Sequence, residues 1–304
     1  MKLGLVTAIL EHMNFEQVID FASENQIDSV ELACWPSGEA GRRYAGVSHI
    51  DVRSLTEEKV NYIKDYAEKR HVTISALAYY PNPLSGDRQK RDEVVEHLMH
   101  VITAADQLDV NLVTTFIGRD QTKSLSENLA TIESVWRPIL DLAEAKQVKI
   151  AIENCPMLFT EDEWPGGQNI MTSPSNWRKV FNILDSDYLG LNFDPSHCIW
   201  QQLDYIKPLY EFKDKLFFIH FKDMKLYREK LADVGVMATP LEYMTPKLPG
   251  YGDVNWLAFL SALSDIGYDG PTSIEIEDKA FEGSRAAIED SIKHSVKYMR
   301  NVMY

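Results

Sequence analysis

The sequence is poor in the features that mark several large protein classes. Its 304 residues include three cysteines, Cys34, Cys155 and Cys198, an odd number with no CxxC spacing, which argues against a disulfide framework or a zinc finger. Reduced thiols are the expectation. Lys and Arg total 31 against 46 Asp and Glu, and the net charge of −15 speaks against nucleic acid or a membrane surface as partner, because neutralising phosphates takes basic side chains. No apolar run reaches the ~20 residues of a membrane-spanning helix. The opening apolar run is too short for a secretory signal and passes straight into polar sequence, so a cytoplasmic location is expected. A glycine-rich turn is also missing. The segment after the first apolar run, Ala8 to Phe15, has no G-x-G-x-x-G, which counts against an open doubly wound sheet built around a dinucleotide.

What is present is a soluble composition, 45% hydrophobic and 25% charged, arranged as short apolar runs alternating with longer segments of helical period. The runs predict strands over 2–7, 29–35, 73–80, 112–118, 149–155, 189–194, 216–222 and 272–277. Helices are predicted over 15–26, 56–70, 91–108, 125–146, 176–185, 203–214, 254–266 and 284–302. Eight strands and eight helices in strict alternation predict an α/β chain folded as a (β/α)8 TIM barrel, one domain over 1–304. Capping-box spacings at Ser54-x-x-Glu57 and Ser124-x-x-Glu127 support two of the helix starts. Leu129, Ile132, Val135, Trp136, Ile139 and Leu140 form one apolar stripe; Ile288, Ile292, Val296, Met299 and Met303 form another. Long connections at 36–54, 156–175 and 223–253 each follow a strand, which places them on the C-terminal face where such barrels carry their active sites.

The last four strand segments end on residues that carry chemistry. The fifth ends on Glu153, and the sixth on Asp194 with His197 just beyond. The seventh contains His220, and the eighth sets Ser273, Glu275 and Glu277 on one face by the two-residue period of a strand. One carboxylate at a strand end is commonly a helix cap. Glu, Asp, His and Glu at the ends of four successive apolar segments are harder to explain that way, since buried charges are costly unless paired or bound to a metal. One divalent ion removes the conflict: carboxylates and an imidazole suit Mn²⁺, Mg²⁺ or Co²⁺, with Mn²⁺ the expected ion, and Zn²⁺ is also accommodated.

Five segments, around Glu153, Asp194 and His220, from Leu248 to Trp256 and from Gly267 to Asp278, together resemble the sugar phosphate isomerase/epimerase family of the xylose-isomerase-like TIM-barrel superfamily. The likeness runs along nearly the whole chain and is densest over 149–278. It implies that Glu153, Asp194, His220 and Glu275 are the metal ligands and favours Glu275 over Glu277, which parity alone leaves open. It also implies that Glu153 and Glu275 act as an acid/base pair on opposite faces of a sugar, through an enediolate. The D-x-x-H spacing makes His197 similar to a substrate-contacting, catalytic histidine, against the alternative of a cap.

Further candidates for substrate binding are Lys222, Glu277, Glu31 and Trp35. Lys222 shares strand parity with His220 and reads either as a ligand for a substrate oxygen or phosphate or as a solvated loop lysine. Glu277 suits hydroxyl binding or a supporting place. Glu31 and Trp35 share one face of the second strand, where the indole would stack on a sugar or simply pack. Cys155 and Cys198 read as packing residues. Pro249-Gly250-Tyr251-Gly252 suits a phosphate loop or a helix-start motif, and the 223–253 connection a specificity element or an oligomer contact.

Three rival functions stand beside a sugar isomerase or epimerase. An endonuclease-IV-like site needs extra histidines, and the third and fourth strand segments have none. A lyase or deglycosidase acting on 3-keto-glycosides, C-glycosides included, would use the same metal and bases, and such enzymes can need a small partner subunit. A non-catalytic sugar-binding barrel is the third. A homo-oligomer is compatible with all of them.

Overall fold

Eight short runs of β-branched and aliphatic residues form a closed parallel sheet. The computed structural model describes residues 1–36, 45–158 and 166–303. The barrel strands are β1 (Leu3–Val6), β2 (Ser29–Ala33), β3 (Thr73–Ala78), β4 (Leu112–Thr115), β5 (Lys149–Glu153), β6 (Leu189–Phe193), β7 (Leu216–Phe221) and β10 (Thr272–Ile274). They pair in the order β1-β10-β7-β6-β5-β4-β3-β2 and close on β1, so chain order is barrel order. This is the (β/α)8 barrel that the alternation predicts. Among the described residues no helix is long and apolar enough to cross a membrane.

Helices α1 (Phe15–Glu24), α2 (Glu57–Glu68), α3 (Arg88–Gln107), α4 (Leu125–Ala145), α5 (Pro174–Ile183), α9 (Trp256–Asp265) and α10 (Arg285–Met303) cover the outside. In the predicted stripes, Ile132, Trp136, Ile139 and Leu140 of α4 and Ile292, Val296 and Met299 of α10 are buried. Leu129, Val135, Ile288 and Met303 are partly buried against the same core. The Ser124–Glu127 capping box forms. The Ser54–Glu57 box does not: α2 starts at Glu57, so Thr56 is the residue placed to accept from Lys59 N, and Ser54 Oγ donates to Asp51 Oδ2 at 2.6 Å. The helix predicted over 203–214 is shorter, α7 (Lys207–Glu211), and a separate short helix that was not predicted, α6 (Ser196–Trp200), precedes it. Asp204 Oδ1 accepts from the backbone N–H groups of Ile206 and Lys207, and Pro208 sits in the first turn, so the helix starts later than its apolar pattern suggests.

Of the long connections, 37–44 and 159–165 lie outside the described residues. The third, 223–253, is not loop alone: β8 (Asp223–Leu226) and β9 (Met244–Lys247) pair as an antiparallel hairpin around α8 (Arg228–Val234). Its base is Asp223, fully buried, whose carboxylate accepts from Met224 N, Gly250 N, Val254 N and Trp256 Nε1 at 2.8–3.1 Å. A side chain at Gly252 would bring its Cβ within 2.1 Å of Asp223 Oδ1. The Pro-Gly-Tyr-Gly motif therefore wraps a carboxylate and leads into α9; its Gly250 N–H is already spent and is not free for a phosphate.

Inside the barrel, Ala76, Leu112, Ala151 and Phe218 belong to an apolar cluster separate from the larger core between sheet and helices. By the two-residue period of a strand, Thr114, Glu153 and His220 share a face with Leu112, Ala151 and Phe218, one layer nearer the C-terminal end. The polar groups at the mouth thus stand on an apolar plug.

Candidate active site

Strand register brings the four candidate ligands to one height. Glu153 pairs with Asn192, two residues before Asp194, and His220 pairs with Ser273, two residues before Glu275. One oxygen each from Glu153, Asp194 and Glu275 and a ring nitrogen of His220 lie within 4.8 Å of one another. Glu153, Asp194 and His220 are at most 3% exposed, so these groups have exchanged water for each other. Glu153 Oε1, Asp194 Oδ2 and Glu275 Oε2 are buried without a hydrogen bond. Three carboxylate oxygens converging on one imidazole are a donor set that fits a divalent cation of hard or borderline character.

Lys222 stands among the same carboxylates. Its Nζ lies 2.8 Å from Glu275 Oε2, 3.1 Å from Asp194 Oδ2, 3.2 Å from Glu277 Oε2 and 3.8 Å from Glu153 Oε1. It is 1% exposed, which removes the solvated-lysine alternative. Burial by itself disfavours its charge, but Glu275, Glu277, Asp194 and Glu153 outweigh that and hold the ammonium well above its ordinary pKa. Burial likewise opposes ionisation of Asp194, yet Lys222 and His197 bring it down to about 2. Glu153 is held well below the usual carboxylate range against the same burial, chiefly by Lys222. Glu275 goes the other way, raised mainly by burial.

His220 is oriented from behind. Its Nε2 meets Glu31 Oε2 at 2.8 Å, while Glu31 Oε1 accepts from Tyr80 Oη at 2.5 Å and from Thr114 Oγ1 at 2.6 Å. His220 Nδ1 faces Glu275 Oε2 at 3.2 Å and Glu153 Oε1 at 3.7 Å, and although burial disfavours its charge, Glu31, Glu275 and Glu153 hold the imidazole well above its ordinary pKa. Glu31 has no exposed surface, so this carboxylate sits behind the histidine and not at the open pocket where a substrate ligand was expected. Asp194 is clamped as well: its backbone N donates to Asn154 Oδ1 at 2.7 Å, Asn154 Nδ2 donates back to Asp194 O at 2.9 Å, and Asp194 Oδ1 accepts from Ser196 N. Asn169 Nδ2 donates to the carbonyls of Glu153 and Cys155. Tyr80, Thr114, Asn154 and Asn169 escaped the sequence reading. Nothing in their local pattern distinguishes them, and only barrel closure gives them these partners.

The remaining candidates ring the pocket. Trp35 is half-buried and lines the wall with Val6, Ile9, Ala33 and Phe116, its indole edge-on to Tyr79 with 4.9 Å between ring centroids. Glu153, Glu275, Glu277 and Lys222 form the polar end of the same pocket. His197, on α6, directs Nε2 to within 3.2 Å of Asp194 Oδ2 and 3.4 Å of Glu153 Oε1. Cys198 packs as expected, buried, its thiol pushed up to about 12 by desolvation. Cys155 is half-buried in the pocket wall, where its Sγ accepts from Met157 N at 3.4 Å.

A family model described as xylose isomerase-like TIM barrel matches residues 19–302. The uncharacterized protein YfiH of Bacillus subtilis is 26% identical over 95% of this chain and 97% of its own length. An inosose isomerase of Bacillus licheniformis is 23% identical over 84% of this chain and 90% of its own. The crystal structure of an IolI protein with a bound zinc atom superposes with a TM-score of 0.72 at 20% identity, covering 100% of this chain and 98% of that one. Other solved structures with this fold include sugar 3-epimerases, a 3-keto-glucoside 4-epimerase and a probable dehydratase.

Proposed function

The chain belongs to the xylose isomerase-like TIM barrel family, and from that premise we propose that it is a divalent-metal-dependent sugar isomerase or epimerase. The observation that carries this reading is the convergence of three carboxylate oxygens and His220 within 4.8 Å at the barrel mouth. Glu153, Asp194, His220 and Glu275 would hold the ion, with Mn²⁺ the expected one. When bound, it supplies Lewis-acid polarisation of a sugar carbonyl and its neighbouring hydroxyl.

The residues supply the rest. Glu153 and Glu275 stand on β5 and just past β10, strands separated by β6 and β7, so they approach the pocket from two sides. One removes the proton from the carbon beside the carbonyl, and the other returns it to the enediolate. His197 hydrogen-bonds a substrate oxygen, Lys222 keeps the carboxylates ionised and apart, and Trp35 offers an apolar face for the sugar ring. With Glu153, Glu275 and Glu277 at its polar end, the pocket favours a neutral sugar over a phosphorylated one.

One feature favours a second reading, elimination from a 3-keto-glycoside: Val6, Ile9, Trp35 and Phe116 give the pocket an apolar wall, the chemistry that suits an aglycone. Incubation with Mn²⁺ in deuterated water separates the two. A free ketose or inosose that gains one deuterium at the carbon beside the carbonyl supports the isomerase or epimerase. Release of aglycone from a 3-keto-glucoside without epimerisation supports the lyase, and metal occupancy unchanged in Asp194→Ala would sink both.

A further inference from the structure

We propose that the hairpin after β7 carries the contact surface for a second copy of this chain, with α8 of one copy lying antiparallel to α8 of the other across a two-fold axis. Exposed apolar side chains concentrate there. Val234, Val236 and Leu241 are 38%, 58% and 56% exposed, and Met237 is 75% exposed, so half of the eight large hydrophobic side chains that are exposed among the described residues fall within eight positions. Residues 232–237 are exposed without interruption, and α8 has no buried residue.

An ordered stalk presents this surface. β8 and β9 pair from Asp223 with Lys247 to Leu226 with Met244, Tyr227 N donates to Tyr243 O at 2.8 Å, and Tyr243 is buried. α8 ends at Gly235, whose N donates to Leu231 O at 2.8 Å; a Cβ added at Gly235 would meet nothing within 4 Å. Seven residues are well short of the ~12–15 that an isolated helix needs to hold in water, so α8 draws its stability from packing an apolar face on something. Apolar surface gathered in one place and rimmed by charge marks an interaction site.

Charge selects the occupant. With a net charge of −15, most of this chain repels both a second copy and an anionic membrane. α8 is different: Arg228 and Lys230 balance Glu229 and Asp233, and all four are exposed. The two cations lie in the first half of the helix and Asp233 in the second. A two-fold axis sets a surface against itself, so antiparallel helices place Arg228 and Lys230 of each copy opposite Asp233 of the other. A partner surface of a single sign would gain only half of these pairs and be repelled by the rest.

The test is sedimentation equilibrium of the whole chain from about 1 to 100 μM, a range in which weaker interfaces dissociate. A reversible dimer is expected. Val236→Lys with Leu241→Lys should weaken it about 10- to 100-fold while leaving the circular dichroism spectrum unchanged. Charge reversal gives a second readout. Asp233→Lys alone, and Arg228→Asp with Lys230→Asp, should each leave monomers, and mixing the two variant chains should restore a dimer of one of each, because each reversed set then meets its complement. Monomers of the unaltered chain throughout the range would overturn the proposal, as would a dimer that survives the Val236 and Leu241 substitutions or variant chains that stay apart when mixed. Monomers that instead float with phosphatidylcholine vesicles would also overturn it and assign the apolar tip to a bilayer.

Discussion

Two layers of the barrel interior lie two residues apart along the same strands and answer to different physics. In the lower layer, Leu112, Ala151 and Phe218 join Ala76 in an apolar plug, each at most 4% exposed. In the upper layer, Thr114, Glu153 and His220 are buried to the same degree but polar, and they meet Glu31, Asp194, Lys222 and Glu275. Burial in the lower layer stabilises by removing apolar surface from water and filling space. Burial in the upper layer costs solvation that must be recovered from opposite charges, hydrogen bonds or an ion. Stability and chemistry are thus stacked, and the two layers should separate experimentally.

The largest expected effect is chemical. Glu153→Gln keeps shape but removes a base and a ligand, and should lower kcat by about 100- to 10,000-fold on whichever sugar proves to be the substrate. Its thermal midpoint without metal should fall by a few degrees, because Lys222 and the histidines stabilise this carboxylate by more than its desolvation costs. Steady-state kinetics and thermal denaturation on one sample read both, and a midpoint lowered by many degrees would merge the two layers. Phe218→Ala is the mirror experiment. It should cost about 3–5 kcal/mol through the cavity it leaves, measured by denaturant unfolding, with metal content per chain unchanged.

Glu31→Gln comes next. The amide keeps a hydrogen bond to His220 but not the charge behind it, and divalent-ion affinity should weaken by about 10- to 100-fold in a chelator competition. Unchanged affinity would remove the orienting role assigned to Glu31. The smallest contrast lies far from the mouth. Thr56→Ala should cost about 1 kcal/mol by uncapping α2, against a smaller loss for Ser54→Ala, and the reverse order would restore the capping box predicted at Ser54.

Legibility in the sequence follows the same division. All eight barrel strands were readable because strands packed on both faces leave apolar runs, though several predicted ends ran past the strand, as with Glu275 and Glu277 beyond β10. Part of the site lies in that overrun, Asp194, Lys222 and Glu275, and part, Glu153 and His220, on the last residues of the strands themselves. The hairpin β8–β9 was not readable, since Asp223–Leu226 and Met244–Lys247 are four residues each, show no clean alternation and include Pro246. The late start of α7 escaped because apolar spacing outweighed the turn at Asp204 and the proline after it, and α6 is too short to show a helical period.

Period and apolarity along the chain were enough for the number, kind and order of elements, because each depends on neighbours within a few residues. The identity of the residues at the strand ends was enough for a set of candidate ligands. Which buried group meets which is another matter: Glu31 meets His220 from 189 residues away, and Lys222 meets carboxylates from three other strands. Such pairings depend on closing β1 against β10 and on register around the ring, quantities that no local stretch of sequence encodes.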